Sequence, residues 1–117
     1  MTEVEYLTDK DFDHITLKYD EFSIVECVNG NNGQLLVMQS VISKLINNMP
    51  VSLRHFRIDM LKYPFVVEQF YVLNRTAYLL FFNGQFIDRI DGIISYNDFS
   101  RRLNVHINAS IKIKRND

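Results

Sequence analysis

At 117 residues, 47% hydrophobic and 23% charged, the chain is sized for one domain with a real core. Its net charge of −1 excludes a general electrostatic affinity for nucleic acid or an anionic membrane. No apolar stretch approaches the roughly 18 residues of a membrane span, and the single cysteine, Cys27, excludes an internal disulfide or a zinc site of several thiolates. The charge is unevenly placed. Residues 1–26 carry eight acids against Lys10 and Lys18, and residues 101–117 carry five bases against Asp117. Solvated ends that attract weakly account for this, and a basic tail that docks on an acidic partner is the alternative. The polar, acidic start is not that of a signal peptide, so a cytoplasmic setting is expected. The sequons at Asn74 and Asn108 then read as chance matches.

In chain order, Glu3 to Leu7 reads as a short strand. Thr8 caps a helix with Asp11 three positions on, and Phe12 and Ile15 face inward. Ser23 to Val28 is nearly apolar on both faces, which suits a central strand. A loop rich in Asn and Gly follows. Gln34 to Asn47 then puts Leu35, Met38, Val41, Ile42 and Leu45 on one helical stripe, and Pro50 ends the helix. Val51 to Asp59 is a strand, and Tyr63-Pro64 opens a short helix over 65–71. Ala77 to Phe82 is a strong strand. Asn83-Gly84 calls for a tight hairpin turn, because both central residues of that turn need positive φ. Phe86 to Asp91 is the returning strand, and Gly92 breaks it. A last helix starts at Ser95 and runs to about Leu103. Residues 105–117 are expected to be a partly disordered tail, with a stray strand over 105–113 as the alternative. The order is β-α-β-α-β-α-β-β-α. A helix between two strands implies parallel pairing, and the hairpin makes the last two strands antiparallel. The fold class is α/β: a small mixed sheet of four or five strands with helices on both faces.

Five stretches in this order resemble the thioredoxin family. They are Tyr6-Leu-Thr-Asp-Lys-Asp-Phe12, the strand-loop-helix at 22–46, Phe56-Arg-Ile-Asp59, Leu79-Leu-Phe-Phe-Asn-Gly-Gln85 and Asp91-Gly-Ile-Ile-Ser95. Each is weak alone, and their order and spacing together are fairly specific. The resemblance covers roughly residues 4–104 and implies a single thioredoxin-like domain over 1–104. The departures fall on the chemistry. Asn32 stands where the family's nucleophilic cysteine would be and Leu35 where its resolving cysteine would be. A redox pair needs two thiols, one with a lowered pKa. Thr76 stands at the family's cis-proline. A cis bond before a non-proline residue costs about 2.5–4 kcal/mol, so a trans Arg75–Thr76 peptide is expected. Ser40 stands at the helix-kink proline, so a straighter helix is expected. Glu26 matches the family's buried acid.

Bland readings compete with these at each residue. Cys27 lies on the apolar pattern and reads as an inert core thiol. Glu26 is a candidate for a buried acid of raised pKa, against a carboxylate partnered by a nearby Lys or Arg. His14, His55 and His106 share no ligand spacing. The acids near residues 9–13 and 88–91 lack the glycine and terminal glutamate of a calcium loop. Gly30, Gly33 and the helix start resemble an anion cradle only loosely, with no Lys in the loop. The resemblance brings the loops 29–35 and 74–76 and Gly92 to one end of the sheet, where the family grips extended peptides. Leu35, Leu36, Val28, Ile93 and Ile94 could rim that face, or Leu35 and Ile93 could pack together and seal it.

The expected function is therefore a redox-inactive thioredoxin-like domain that acts as a protein-binding adaptor or assembly subunit. The binding residues expected are Asn31, Asn32, Gly33, Gln34, Leu35, Arg75, Thr76, Gly92 and Ile93, with no catalytic residue. An enzyme of altered chemistry using Glu26 or Cys27 is the alternative. A purely structural part of a larger bacterial assembly is a third reading. The partner expected is another protein or an extended peptide, with a homodimer compatible. No nucleic acid, membrane, metal or cofactor is expected.

Overall fold

The structure, a computed structural model, describes residues 4–11, 21–29, 32–70 and 76–115, with side chains for all of these except 32–34, 66–67 and 111–115. Five strands form one sheet in the order β1-β3-β2-β4-β5. They are β1 (Glu5–Leu7), β2 (Phe22–Val28), β3 (Leu53–Asp59), β4 (Ala77–Phe82) and β5 (Gln85–Asp91). The helices are α1 (Asn32–Asn48), α2 (Phe65–Phe70) and α3 (Tyr96–Arg115). Residues 9–11 are also helical. The Asp11 amide donates to Thr8 Oγ1 at 3.3 Å, as the capping pattern requires. Phe12, His14 and Ile15 lie outside the described residues.

All seven residues of β2 are buried, which matches a central strand with cover on both faces. On one face Ile24, Tyr78, Leu80 and Ile90 meet Met38, Ile42 and Leu45 of α1 and Phe99, Leu103 and Ile107 of α3. Each of these aliphatic side chains contributes roughly 1.5–3 kcal/mol by burial. On the other face Val25, Cys27, Phe56, Ile58, Leu79 and Phe81 pack with Phe65 and Phe70 of α2.

β1 and β2 run parallel to β3. β4 does not pair with β3. It pairs antiparallel with β2, and this corrects the expectation that every helix between strands joins a parallel pair. β3 ends at Asp59 beside Val28, and β4 starts at Ala77 beside Cys27, so both lie at the same end of β2. The chain re-enters at the end where β3 left, and β4 runs reversed. The β4–β5 hairpin turns at Asn83 (φ 53°) and Gly84 (φ 76°), both left-handed as the sequence predicts.

The second correction concerns the C-terminus. The expected tail at 105–117 is helical through Arg115, and α3 is twenty residues long. Ser95 caps it by accepting from the Asp98 amide at 3.2 Å. Phe99, Leu103 and Ile107 follow at steps of four, and all are buried. Arg102 and His106 lie on α3 beside β5, where both donate to the Asp88 carboxylate. Burial alone would push the Asp88 pKa up, but these two partners and the Arg89 amide hold it below its ordinary value.

Candidate functional site

β2, β4 and β5 end together, and the register sets what meets there. Ala77 pairs with Cys27 on one side and Asp91 on the other, so Thr76 stands opposite both Val28 and Gly92. The Gly92 amide donates to the Thr76 carbonyl at 2.9 Å and extends the ladder by one step. Gly92 has φ +76°, and a Cβ built on it would meet nothing within 4 Å. Glycine is thus needed there for its backbone angle and not for space. α1 starts at Asn32, four residues beyond Val28.

The expected site residues divide accordingly. Asn31 and Arg75 lie outside the described residues, and with Arg75 the Arg75–Thr76 peptide. Asn32, Gly33 and Gln34 form the first turn of α1. Leu35 is half-buried. Thr76 is buried, and its Oγ1 has no hydrogen-bond partner among the described residues. Ile93 is exposed at 62% and Leu36 at 72%, while Val28 is buried. Ile94 packs into the core under α1 and α3. Val37, exposed at 52%, was not expected on this surface. Its apolar character was visible in the sequence, but it falls off the buried stripe of α1.

Behind this end, on the α1 face, lies a buried polar cluster around Glu26. Arg57 and Tyr78 are the direct cross-strand partners of Glu26, and His55 follows Arg57 on the same face. Arg57 Nε donates to Glu26 Oε1 at 2.8 Å and His55 Nε2 to the same oxygen at 3.1 Å. The Tyr78 hydroxyl donates to Oε2 at 2.9 Å. Arg57 also donates to the Tyr6 hydroxyl at 3.0 Å, with its guanidinium over the Tyr6 ring. Glu26 is fully buried. Burial works to raise its pKa, but the hydrogen bond and charge of His55, and then of Arg57, outweigh it and hold the carboxyl below its ordinary value. Glu26 is therefore the partnered carboxylate, not an acid of raised pKa. The Tyr78 hydroxyl is pushed up by burial and by Glu26. A strand-by-strand reading misses this cluster, because its members meet only through the register of three strands.

Cys27 points to the opposite face, has no exposed surface and packs in the α2 core. Burial, and then the Glu26 charge, push its pKa up to about 12. A thiol so placed is a core side chain. Among the described residues no three His, Cys, Asp or Glu side chains gather in a group that could hold a metal. No helix among them is long and apolar enough to cross a membrane.

The chain matches no protein-family model and no curated protein. It is similar to a chain from a solved structure of the thiol-resolving mechanism in yeast mitochondrial 1-Cys peroxiredoxin via glutathione/thioredoxin systems. The TM-score is 0.73 at 20% identity, over 87% of this chain and 94% of that one. The fold is thioredoxin-like. At that identity the likeness extends to architecture alone. It agrees with the mixed five-stranded sheet and with helices on both of its faces.

Proposed function

We propose that this thioredoxin-like domain is a protein-binding adaptor or assembly subunit without dithiol chemistry, and that it recognises another protein or an extended peptide through the end of the sheet formed by Thr76, Gly92 and the start of α1. The observation that carries this reading is the exposure of Leu36, Val37 and Ile93. Exposed apolar patches mark surfaces that bind a partner. The chemistry argues the same way. By the sequence resemblance Asn32 and Leu35 stand where the family's two thiols would be, and the one cysteine, Cys27, is buried in the core. The alternative, an enzyme working through Glu26 or Cys27, lacks access: both are fully buried, and Glu26 already accepts three hydrogen bonds.

The test is affinity capture with the wild-type chain and with the double variant L36D/I93D, both checked for folding by circular dichroism. Partners held by the wild type should be lost from the variant. Identical capture by both would refute the surface. Insulin reduction should stay at the dithiothreitol background, and turnover above it would remove the non-redox reading.

A further inference from the structure

We infer that the cleft between the β4–β5 hairpin and the second half of α3 binds a small aromatic molecule that carries a hydroxyl or amino donor on its ring. The cleft has a volume of about 410 Å³, within the range of roughly 300–1,000 Å³ common to small-molecule sites. Strand register builds its sheet side. Phe22 pairs with Phe82, the residue before the turn, and Phe82 pairs with Gln85, the residue after it. The Phe22 and Phe82 rings stack with centroids 4.4 Å apart and planes 26° from parallel. These two rings and Ile87 line the cleft from the sheet, and His106, Ala109 and Ser110 line it from the helix. A further ring packs well against such an aromatic pair.

The polar groups narrow the chemistry. Among the described residues no Lys, Arg, Asp or Glu lines the cleft, so nothing in it offsets a full charge on a ligand. His106 Nε2 donates to Asp88 at 3.1 Å, and Asp88 is held in turn by Arg102. In the neutral ring the proton therefore sits on Nε2 and a lone pair on Nδ1. Nδ1 has no partner among the described residues. Ser110 Oγ donates to the Ile107 carbonyl at 2.7 Å, which uses its one proton and leaves acceptor lone pairs. Residues 106 and 110 stand one helical turn apart on the same face, so α3 presents two acceptors. The Asn83 and Gln85 amides at the turn offer either role and select neither. A donor-bearing ring satisfies both sides of the cleft, whereas a carboxylate brings further acceptors to the acceptors already there. The site is also separate from the proposed protein-binding end. Phe22 and Val28 are opposite ends of β2, roughly 20 Å apart, so the two readings stand or fall independently.

The 15N-labelled full chain is titrated at pH 8 with p-cresol, with p-methylanisole, in which a methyl group replaces the donor proton, and with sodium p-toluate. Ionic strength is held constant with sodium chloride, and amide NMR shifts are followed. Saturable shifts confined to residues 21–23, 82–87 and 106–110 are expected with p-cresol, with half-saturation in the millimolar range or below. p-Methylanisole and p-toluate should bind about fivefold or more weakly, since neither offers the donor. Ala109→Trp fills the cleft from an exposed helical position and should abolish p-cresol binding. The three-ligand comparison on the wild-type chain stays decisive even if that variant fails to fold. p-Cresol shifts that grow linearly, that map outside the cleft or that persist in folded Ala109→Trp would overturn the inference. So would p-methylanisole or p-toluate binding as tightly as p-cresol.

Discussion

Replacing Glu26 by Gln removes one charge and keeps the shape. It leaves the Arg57 guanidinium, 12% exposed at its side chain, and the His55 ring, 2% exposed, without the carboxylate that both now contact. Breaking a buried pair from one side costs about 3–5 kcal/mol. Part of Arg57 reaches water, and the Gln carbonyl can still accept from Nε, so the low end applies, about 3 kcal/mol. For a domain near 100 residues that lowers Tm by about 12 °C, at roughly 4 °C per kcal/mol. With a urea m-value of about 1.5 kcal/mol/M, the midpoint falls by about 2 M. The pH dependence supplies the sharper check. The Glu26 pKa is lowered on folding from an ordinary value of 4.5. Its stabilisation is therefore complete above that value and is lost as pH falls through the lower folded value. Urea titrations of wild type and Glu26→Gln should differ most at pH 7 and converge below pH 4.5. A gap under about 1 kcal/mol at pH 7, or one that widens in acid, would refute the assignment of Glu26 as a charged hub.

Four further outcomes are expected. Native Cys27 should resist dithionitrobenzoate at pH 8 and react at once in guanidinium chloride, since burial holds its pKa at about 12; stoichiometric labelling of the folded chain would sink the core assignment. Ile107→Ala should cost about 3 kcal/mol in thermal or urea unfolding, because the side chain is 3% exposed in the core. Truncation after Asn104 should cost at least as much, and a truncated chain of wild-type stability would restore the picture of a dispensable tail. Gly84→Ala should cost about 1–2 kcal/mol, because Gly84 has φ 76° and alanine tolerates it poorly; an unchanged Tm would mean that the turn had rearranged.

Much of this fold is legible in the sequence, and the parts that are not have physical reasons. Local chemistry was readable. Thr8 and Ser95 cap helices as their spacing implies, and Asn83-Gly84 turns the hairpin. The apolar run at 22–28 is the central strand. The end of α3 was harder, because Val105-His-Ile107-Asn-Ala-Ser-Ile111-Lys-Ile113 alternates with period two while Phe99, Leu103 and Ile107 repeat with period four. Ile107 belongs to both patterns, and its burial with Phe99 and Leu103 on the core side of α3 goes with the helix. The direction of β4 was not legible because β4 pairs with β2 and not with the preceding β3, and hydrophobic pattern does not choose a strand's neighbour. The Glu26 cluster was out of reach for another reason. Pairing Glu26 with Arg57 and Tyr78 requires the register of β2 against both neighbours, and a one-residue slip in either would send the partner to the opposite face.

The two outer strands of the sheet carry a consequence for the life of this protein at high concentration. An open sheet has two rims of unpaired backbone, and such rims template growth by further chains. Here one rim, β1, is only three residues long and begins with an exposed Glu5. The other, β5, sets Asp88, Arg89 and Asp91 along seven residues and ties the first of them into ion pairs with α3. A strand added to β5 meets alternating charge, and one added to β1 finds too little ladder to hold. Both rims are poor seeds for fibrils, so the molecule can leave apolar side chains bare at the end of its sheet without polymerising along its sides.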